Sequence, residues 1–312
     1  MKRLFYSILT TATRIFGLWL FALVAKGIAA GYYLFFPRRV AVGIRFYRAL
    51  FPGRSRLYYR WCTWRQFQNF TSIFTDRILL AKADAIGYTY TGWEHLEKIL
   101  DEKRGAVILM SHLGNWEIAA HLLNRRRKDI RLLLYMGARE KKEIEGMQKA
   151  SLKESGVRII AVDANGGSPF DVVEGIRMIE SGGLVSLAGD RVWGESLRTV
   201  PVRFLGHKAL LPEGPHLFSL LTGVPLLVFF AFRTGRGQYH FTFSEPIFLP
   251  RTDRGGRRRA IEASAQAYAD RLAETLRNNP FEWYHFEPFL GQPLEASPDP
   301  DTGAGGAETP GT

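Results

Sequence analysis

From Ile15 to Phe36 the chain is apolar almost without a break, interrupted by Lys26. As a helix, about 22 residues rise about 33 Å, enough for a bilayer core, and Pro37 ends the run. The apolar residues outweigh Lys26 only modestly, so a spanning helix is the first expectation and a helix lying in the interface is the alternative. Val40 to Tyr59 reads as an amphipathic stretch broken at Pro52-Gly53, and Phe67, Phe70, Phe74 and Ile78 recur at helix spacing between Trp64 and Lys82. From Gly87 onward short apolar runs alternate with longer periodic ones. Strands are predicted over 87–92, 106–110, 130–136, 157–162, 184–188, 224–232 and 238–244. Helices are predicted over 93–100, from Ile118, over 139–155, from the cap-and-first-turn pair Ser168-Pro169, from Gly214-Pro215 to Leu221, and over 261–278. Gln238 to Ser244 alternates, with Tyr239, Phe241 and Phe243 on one face, as an edge or half-exposed strand does. This βαβ alternation predicts an α/β fold, a mainly parallel sheet flanked by helices, carrying an N-terminal membrane helix. The expected units are an anchor over 1–37, basic membrane-proximal helices over 38–83, an α/β domain over 84–290 and a disordered Gly/Pro/Ala/Thr-rich tail over 291–312.

Charge sharpens the membrane reading. The net charge is +12, and residues 1–75 hold 12 Lys and Arg with no Asp or Glu, so the remaining basic and acidic residues cancel. A nucleic-acid binder spreads its basic residues over a folded face. Here they surround an apolar, aromatic segment, which points to an anionic membrane surface and away from nucleic acid. Arginines are denser after the apolar segment than before it, which places the rest of the chain on the cytoplasmic face of the inner membrane. Arg251, Arg254 and Arg257 to Arg259 form a second cluster, read as a dock for an acidic carrier protein or lipid phosphates, or equally as a solvated helix start. The single cysteine, Cys62, excludes an internal disulfide and fits a reducing compartment. No metal-ligand spacing occurs among the His and Cys residues, and no metal or cofactor is expected.

The candidate chemistry sits at Ser111-His112-Leu113-Gly114-Asn115-Trp116-Glu117, between an apolar strand and a helix. His112 falls at a strand's carboxyl end, where open α/β sheets place ligands. Gly114 permits a backbone other residues resist, Asn115 is a good N-cap, and Glu117 lies in the first helical turn. An imidazole titrates near neutrality and suits proton abstraction from an alcohol, with Glu117 as its orienter. Five residues apart, the two stand about 140° around one helix, so the pair requires His112 on the turn, reaching back over the helix start. Gly189-Asp190-Arg191 follows another strand and marks a second such end; alone, the triplet is a weak signal and reads equally as a turn salt bridge.

His-Leu-Gly-Asn-Trp-Glu resembles the signature block of the bacterial lipid A late acyltransferase family, within the glycerol-phosphate acyltransferase-like superfamily. Weaker matches run to about residue 290: Val202 to Lys208 with Pro212-Glu213-Gly214-Pro215, and Pro280 to Phe286, similar to a Pro-x-x-Trp ending. The resemblance implies His112 and Glu117 as a catalytic dyad, Asp190, Arg191, Asn115 and Gly114 in substrate binding or oxyanion support, and Arg139, with them, at the place of a functional arginine. It implies an acyl thioester as co-substrate, on acyl carrier protein or CoA, and a lipid or glycolipid hydroxyl as acceptor. Glu287-Pro288-Phe289-Leu290 departs from the His-Arg-rich tail of the lipid A enzymes and points to a branch with another acceptor. An apolar groove would hold the acyl chain, with Tyr239, Phe241 and Phe243 expected in the core rather than in that groove. A lipid hydrolase or thioesterase is the alternative, although no Gly-x-Ser-x-Gly elbow occurs; a non-catalytic lipid-binding protein is the third reading.

Overall fold

A computed structural model describes residues 17–80, 86–137, 157–162, 168–192 and 198–294. Three helices lead: α1 (Leu18–Phe35), α2 (Pro37–Leu50) and α3 (Arg56–Leu80). Pro37 closes the first and opens the second at its first position, where its missing N–H costs nothing. Next come β1 (Gly87–Thr91), α4 (Trp93–Asp101), β2 (Ala106–Met110), α5 (Trp116–Arg126), β3 (Leu132–Gly137) and β4 (Arg158–Val162). They are followed by α6 (Pro169–Glu180), β5 (Leu184–Ala188), β6 (Thr199–Phe204), β7 (His207–Pro212), α7 (Gly214–Thr222), β8 (Leu226–Gly235), β9 (Gln238–Phe243) and α8 (Arg257–Asn278). Ser168 opens α6 as read from sequence, through a reciprocal capping box with Asp171. The helix expected over 139–155, and Arg139 with it, lies outside the described residues.

Among the described residues, seven strands form one sheet in the order β1-β9-β8-β2-β5-β3-β4. All neighbours run parallel except β8 and β9. The central strands read as unbroken apolar runs because both faces are buried. In β2, Val107 and Leu109 face one core while Ala106, Ile108 and Met110 face the other; β8 divides its residues the same way. α4 and α5 cover one face, and α6, α7 and α8 cover the other. β6 and β7 form a separate hairpin against α8, closed by Leu205-Gly206 with positive φ at both turn residues, as a tight hairpin requires.

Two expectations need correction. Of the two readings of 238–244, the half-exposed strand holds and the edge strand does not: β9 lies between β1 and β8, with Tyr239, Phe241 and Phe243 buried and the alternate side chains partly exposed. Its alternating pattern arises because the aromatics lie under α4, while the opposite side chains are polar; β1, whose pairing is long-range, takes the edge. Of the tail read from 291, residues 291–294 dock on the hairpin, where Lys208 N–H donates to Gln292 O and Gly291 N–H to Lys208 O. The remainder lies outside the described residues.

α1 is long and apolar enough to cross a membrane. It packs antiparallel along α3. The Tyr33 ring stands edge-on to Trp64 and Phe67, Tyr33 O–H donates to Arg60 O, and Gln68 Nε2 donates to Lys26 O. Trp19, Leu23, Ile28, Leu34 and Phe35 remain on its exposed face. α3 in turn packs on the segment after α8 through Phe67 and Phe70 against Phe286 and Tyr284.

Candidate active site

β2 delivers His112 to the sheet's carboxyl edge, and the turn is held from two sides. On one side, Asn115 N–H donates 2.8 Å to Ala231 O of β8; Gly114, with φ +78°, donates its N–H 2.9 Å to Glu282 O of the segment after α8. A Cβ on Gly114 would stand 1.9 Å from Ala231 O, so glycine is required for the turn to lie on β8. On the other side, the segment after α8 pairs with the turn: Leu113 bridges Trp283, and Tyr284 N–H donates to His112 O. Gly114→Ala is expected to destabilise the protein by about 1–3 kcal/mol from the left-handed backbone alone, with the overlap adding to it. Thermal unfolding would register this as a melting point lower by several degrees.

The imidazole is fixed from behind by Asp190, at the end of β5. His112 Nδ1 donates 2.8 Å to Asp190 Oδ1, His112 N–H donates 2.7 Å to Oδ2, and the Trp283 indole N–H donates 2.8 Å to the same Oδ2. Asp190 is fully buried. Burial alone would raise its pKa, but the neighbouring His112, the ring hydrogen bond, His285 and the Trp283 N–H outweigh that and hold it at about 2. An ionised carboxylate on Nδ1 makes Nε2 the proton-accepting atom of the neutral ring. The His112 side chain keeps 23% of its surface accessible. His285 stands edge-on to it, with ring centroids 6.1 Å apart, and stacks on Trp283; burial lowers its pKa, keeping the ring neutral.

Glu117 occupies the first turn of α5 as expected, and there its carboxylate takes a two-pronged ion pair from Arg77 of α3. Asn115 stands at the N-cap position, yet its side chain caps nothing: Nδ2 donates 3.3 Å to the Tyr239 O–H, into a buried polar network behind the turn. Asp76 Oδ2 accepts from Tyr239 O–H (2.6 Å) and Arg233 Nε (2.7 Å), and Arg233 N–H donates to Glu282. Burial pushes Glu282 up to about 7 against the lowering pull of Arg233. Arg191, next to Asp190, pairs with Glu287, a residue of the C-terminal segment that departs from the lipid A pattern.

Beside the turn, between α4, α5 and the sheet, runs a narrow apolar slot with about 50 Å³ of void. Met110 and Trp116, which flank the turn, line it, as do Ile108, Ala120, Phe241 and Phe243. The two phenylalanines therefore serve the core and the slot together, where core alone was expected. Trp283, His285, Arg77 and Asp76 were given no role from sequence. Trp283 and His285 lay inside a recognised block, the one local signal available; their approach to His112 is set by tertiary pairing.

Strand, turn and helix thus place one imidazole, backed by a buried carboxylate, on a turn whose flanking residues Met110 and Trp116 line an apolar slot. The chain belongs to the bacterial lipid A biosynthesis acyltransferase family, whose profile matches residues 65–290. It is 27% identical over 199 residues to a phosphatidylinositol mannoside acyltransferase of Mycobacterium tuberculosis, covering 63% of this chain and 58% of that protein. It is 26% identical over 196 residues to a phosphatidylinositol mannoside acyltransferase of Mycolicibacterium smegmatis, covering 62% and 60%. The match thus spans less than two thirds of these relatives' length.

Proposed function

We propose that the protein is a membrane-associated O-acyltransferase that moves a fatty acyl chain from an acyl thioester, on acyl carrier protein or CoA, to a hydroxyl of a glycolipid. The observation that carries this reading is the His112–Asp190 pair beside the slot. Nε2 of His112 takes the proton of the acceptor hydroxyl as its oxygen attacks the thioester carbonyl. The Asp190 carboxylate stabilises the imidazolium that forms. Arg191 and the N–H groups at the start of α5 support the oxyanion, a large term when donors are preorganised. Collapse breaks the C–S bond, and the imidazolium returns its proton to the departing thiolate, leaving an ester and a free thiol. Glu117 holds the start of α5 to α3 through Arg77, so the two carboxylates have separate tasks.

The names of the relatives make a mannosylated phosphoinositide the first acceptor to test, in keeping with the departure from the lipid A tail. The packing of α1 along α3 favours an anchor lying in one leaflet. A spanning α1 would carry Arg60, Arg65 and Gln68 of α3 toward the hydrocarbon, which is costly. The exposed apolar face of α1 and the surrounding arginines suit an anionic surface on the cytoplasmic side.

The test is mass spectrometry of lipids from cells with and without the gene, joined to transfer from acyl-CoA or acyl carrier protein in vitro. One acyl chain missing from one glycolipid class is the expected result. An unchanged lipid profile together with no transfer to any lipid would overturn the reading.

A further inference from the structure

We propose that Arg126, laid across Tyr90 and Trp93, is the end stop of the apolar slot and sets the length of acyl chain the protein accepts. The inference rests on the acyltransfer reading, in that it takes the slot to hold the chain. α5 runs along the slot: Trp116 lines it beside the His112 turn, and Arg126 lines it ten residues later, about 15 Å away at 1.5 Å per residue. Over that distance an extended saturated chain places about a dozen carbons, given C–C bonds of about 1.5 Å in a zigzag.

At this remote position the wall changes character. The Arg126 guanidinium lies 4.1 Å above the Tyr90 ring and 4.5 Å above the Trp93 ring, and Nη2 donates 2.7 Å to the Tyr90 O–H. Both rings line the slot. The arginine is held by two ring faces and a hydrogen bond, on a surface where Tyr90 is also exposed. A methyl end that reaches this point meets a planar cation. Further methylenes must either unseat it from two aromatic faces or turn out into water. The rest of the wall offers no such charge: its other lining residues are almost all apolar, and Met110, with an unbranched side chain, can repack around a chain. Truncating Arg126 would uncover the faces of Tyr90 and Trp93 and let longer chains continue over them.

The test is equilibrium binding of an acyl-CoA series from ten to eighteen carbons to the full-length protein, with transfer to lipid measured in parallel on the same samples. Wild-type affinity should rise about fourfold per methylene, the value of burying one CH₂, up to a break and then stay flat. Arg126→Ala, a surface change that leaves the core intact, should move that break longer by two or more methylenes. Arg126→Lys, which keeps the charge but loses the planar stack, should move it less. A break at the same length in Arg126→Ala, a wild-type series without a break, or no chain-length-dependent binding overturns the proposal. Transfer that persists beside an unmoved break would sink the end stop and leave the acyltransferase reading standing. A moved break without transfer to any lipid would do the reverse.

Discussion

His112→Ala is expected to lower kcat/KM for acyl transfer by about 10²- to 10⁴-fold, the contribution of a positioned general base. The ring is the partner of Asp190 Oδ1, and Oδ2 keeps its donors from the His112 backbone and Trp283 in the variant. The fold should therefore survive, at some cost for one under-satisfied buried carboxylate oxygen. His112→Asn is the useful companion, since its amide N–H can still reach Asp190 but offers no base. If both variants lose transfer while their melting points stay near wild type, the loss belongs to chemistry. Near-normal transfer by either would remove His112 from the mechanism.

Asp190→Asn should reduce kcat by about 10³- to 10⁴-fold, the scale seen when a buried carboxylate that fixes a catalytic imidazole becomes an amide. Asn has one acceptor oxygen. If that oxygen keeps the bonds from His112 N–H and Trp283, its NH₂ faces Nδ1. Nδ1 must then accept, the ring proton moves to Nε2, and the base is lost. Glu117→Gln serves as the control. It breaks a partly buried pair with Arg77, so it should lower the melting point while costing kcat far less. Equal losses of kcat, with the Glu117 variant still fully stable, would assign the orienting role to Glu117 instead. The pH dependence separates the variants as well. Asp190 has its pKa depressed in the folded state, so it adds stability that is complete above the ordinary carboxylate range and disappears as pH falls toward about 2. Asp190→Asn should lack that part of the acid transition.

Much of this arrangement was legible along the chain, and the limits are physical. Period and punctuation located β2, the turn and α5, because an unbroken apolar run ending in Ser-His-Leu-Gly-Asn can do little else. The same logic put Asp190 at a strand end. It could not say that β5 lies next to β2 and so brings Asp190 against His112, since strand order is written in long-range packing. The 140° offset of Glu117 from His112 left their pairing open along the chain, and so did the partner of that carboxylate, Arg77, which lies 40 residues earlier on α3. Asn115 shows the weakness of propensity, for a residue ideal as a cap instead feeds a buried network through Tyr239. For β9, alternation correctly signalled one polar side, and says nothing about whether a further strand joins the edge.

Trp283 lies 171 positions after His112, and its indole completes the seat of the Asp190 carboxylate. During synthesis the base, its carboxylate and the strands beneath them all leave the ribosome before that indole does. A nascent chain lacks the last donor and the segment that clamps the turn until residues 282–284 have been made. A product ending before residue 283 would therefore lack the indole donor to Asp190 and the segment paired with the His112 turn.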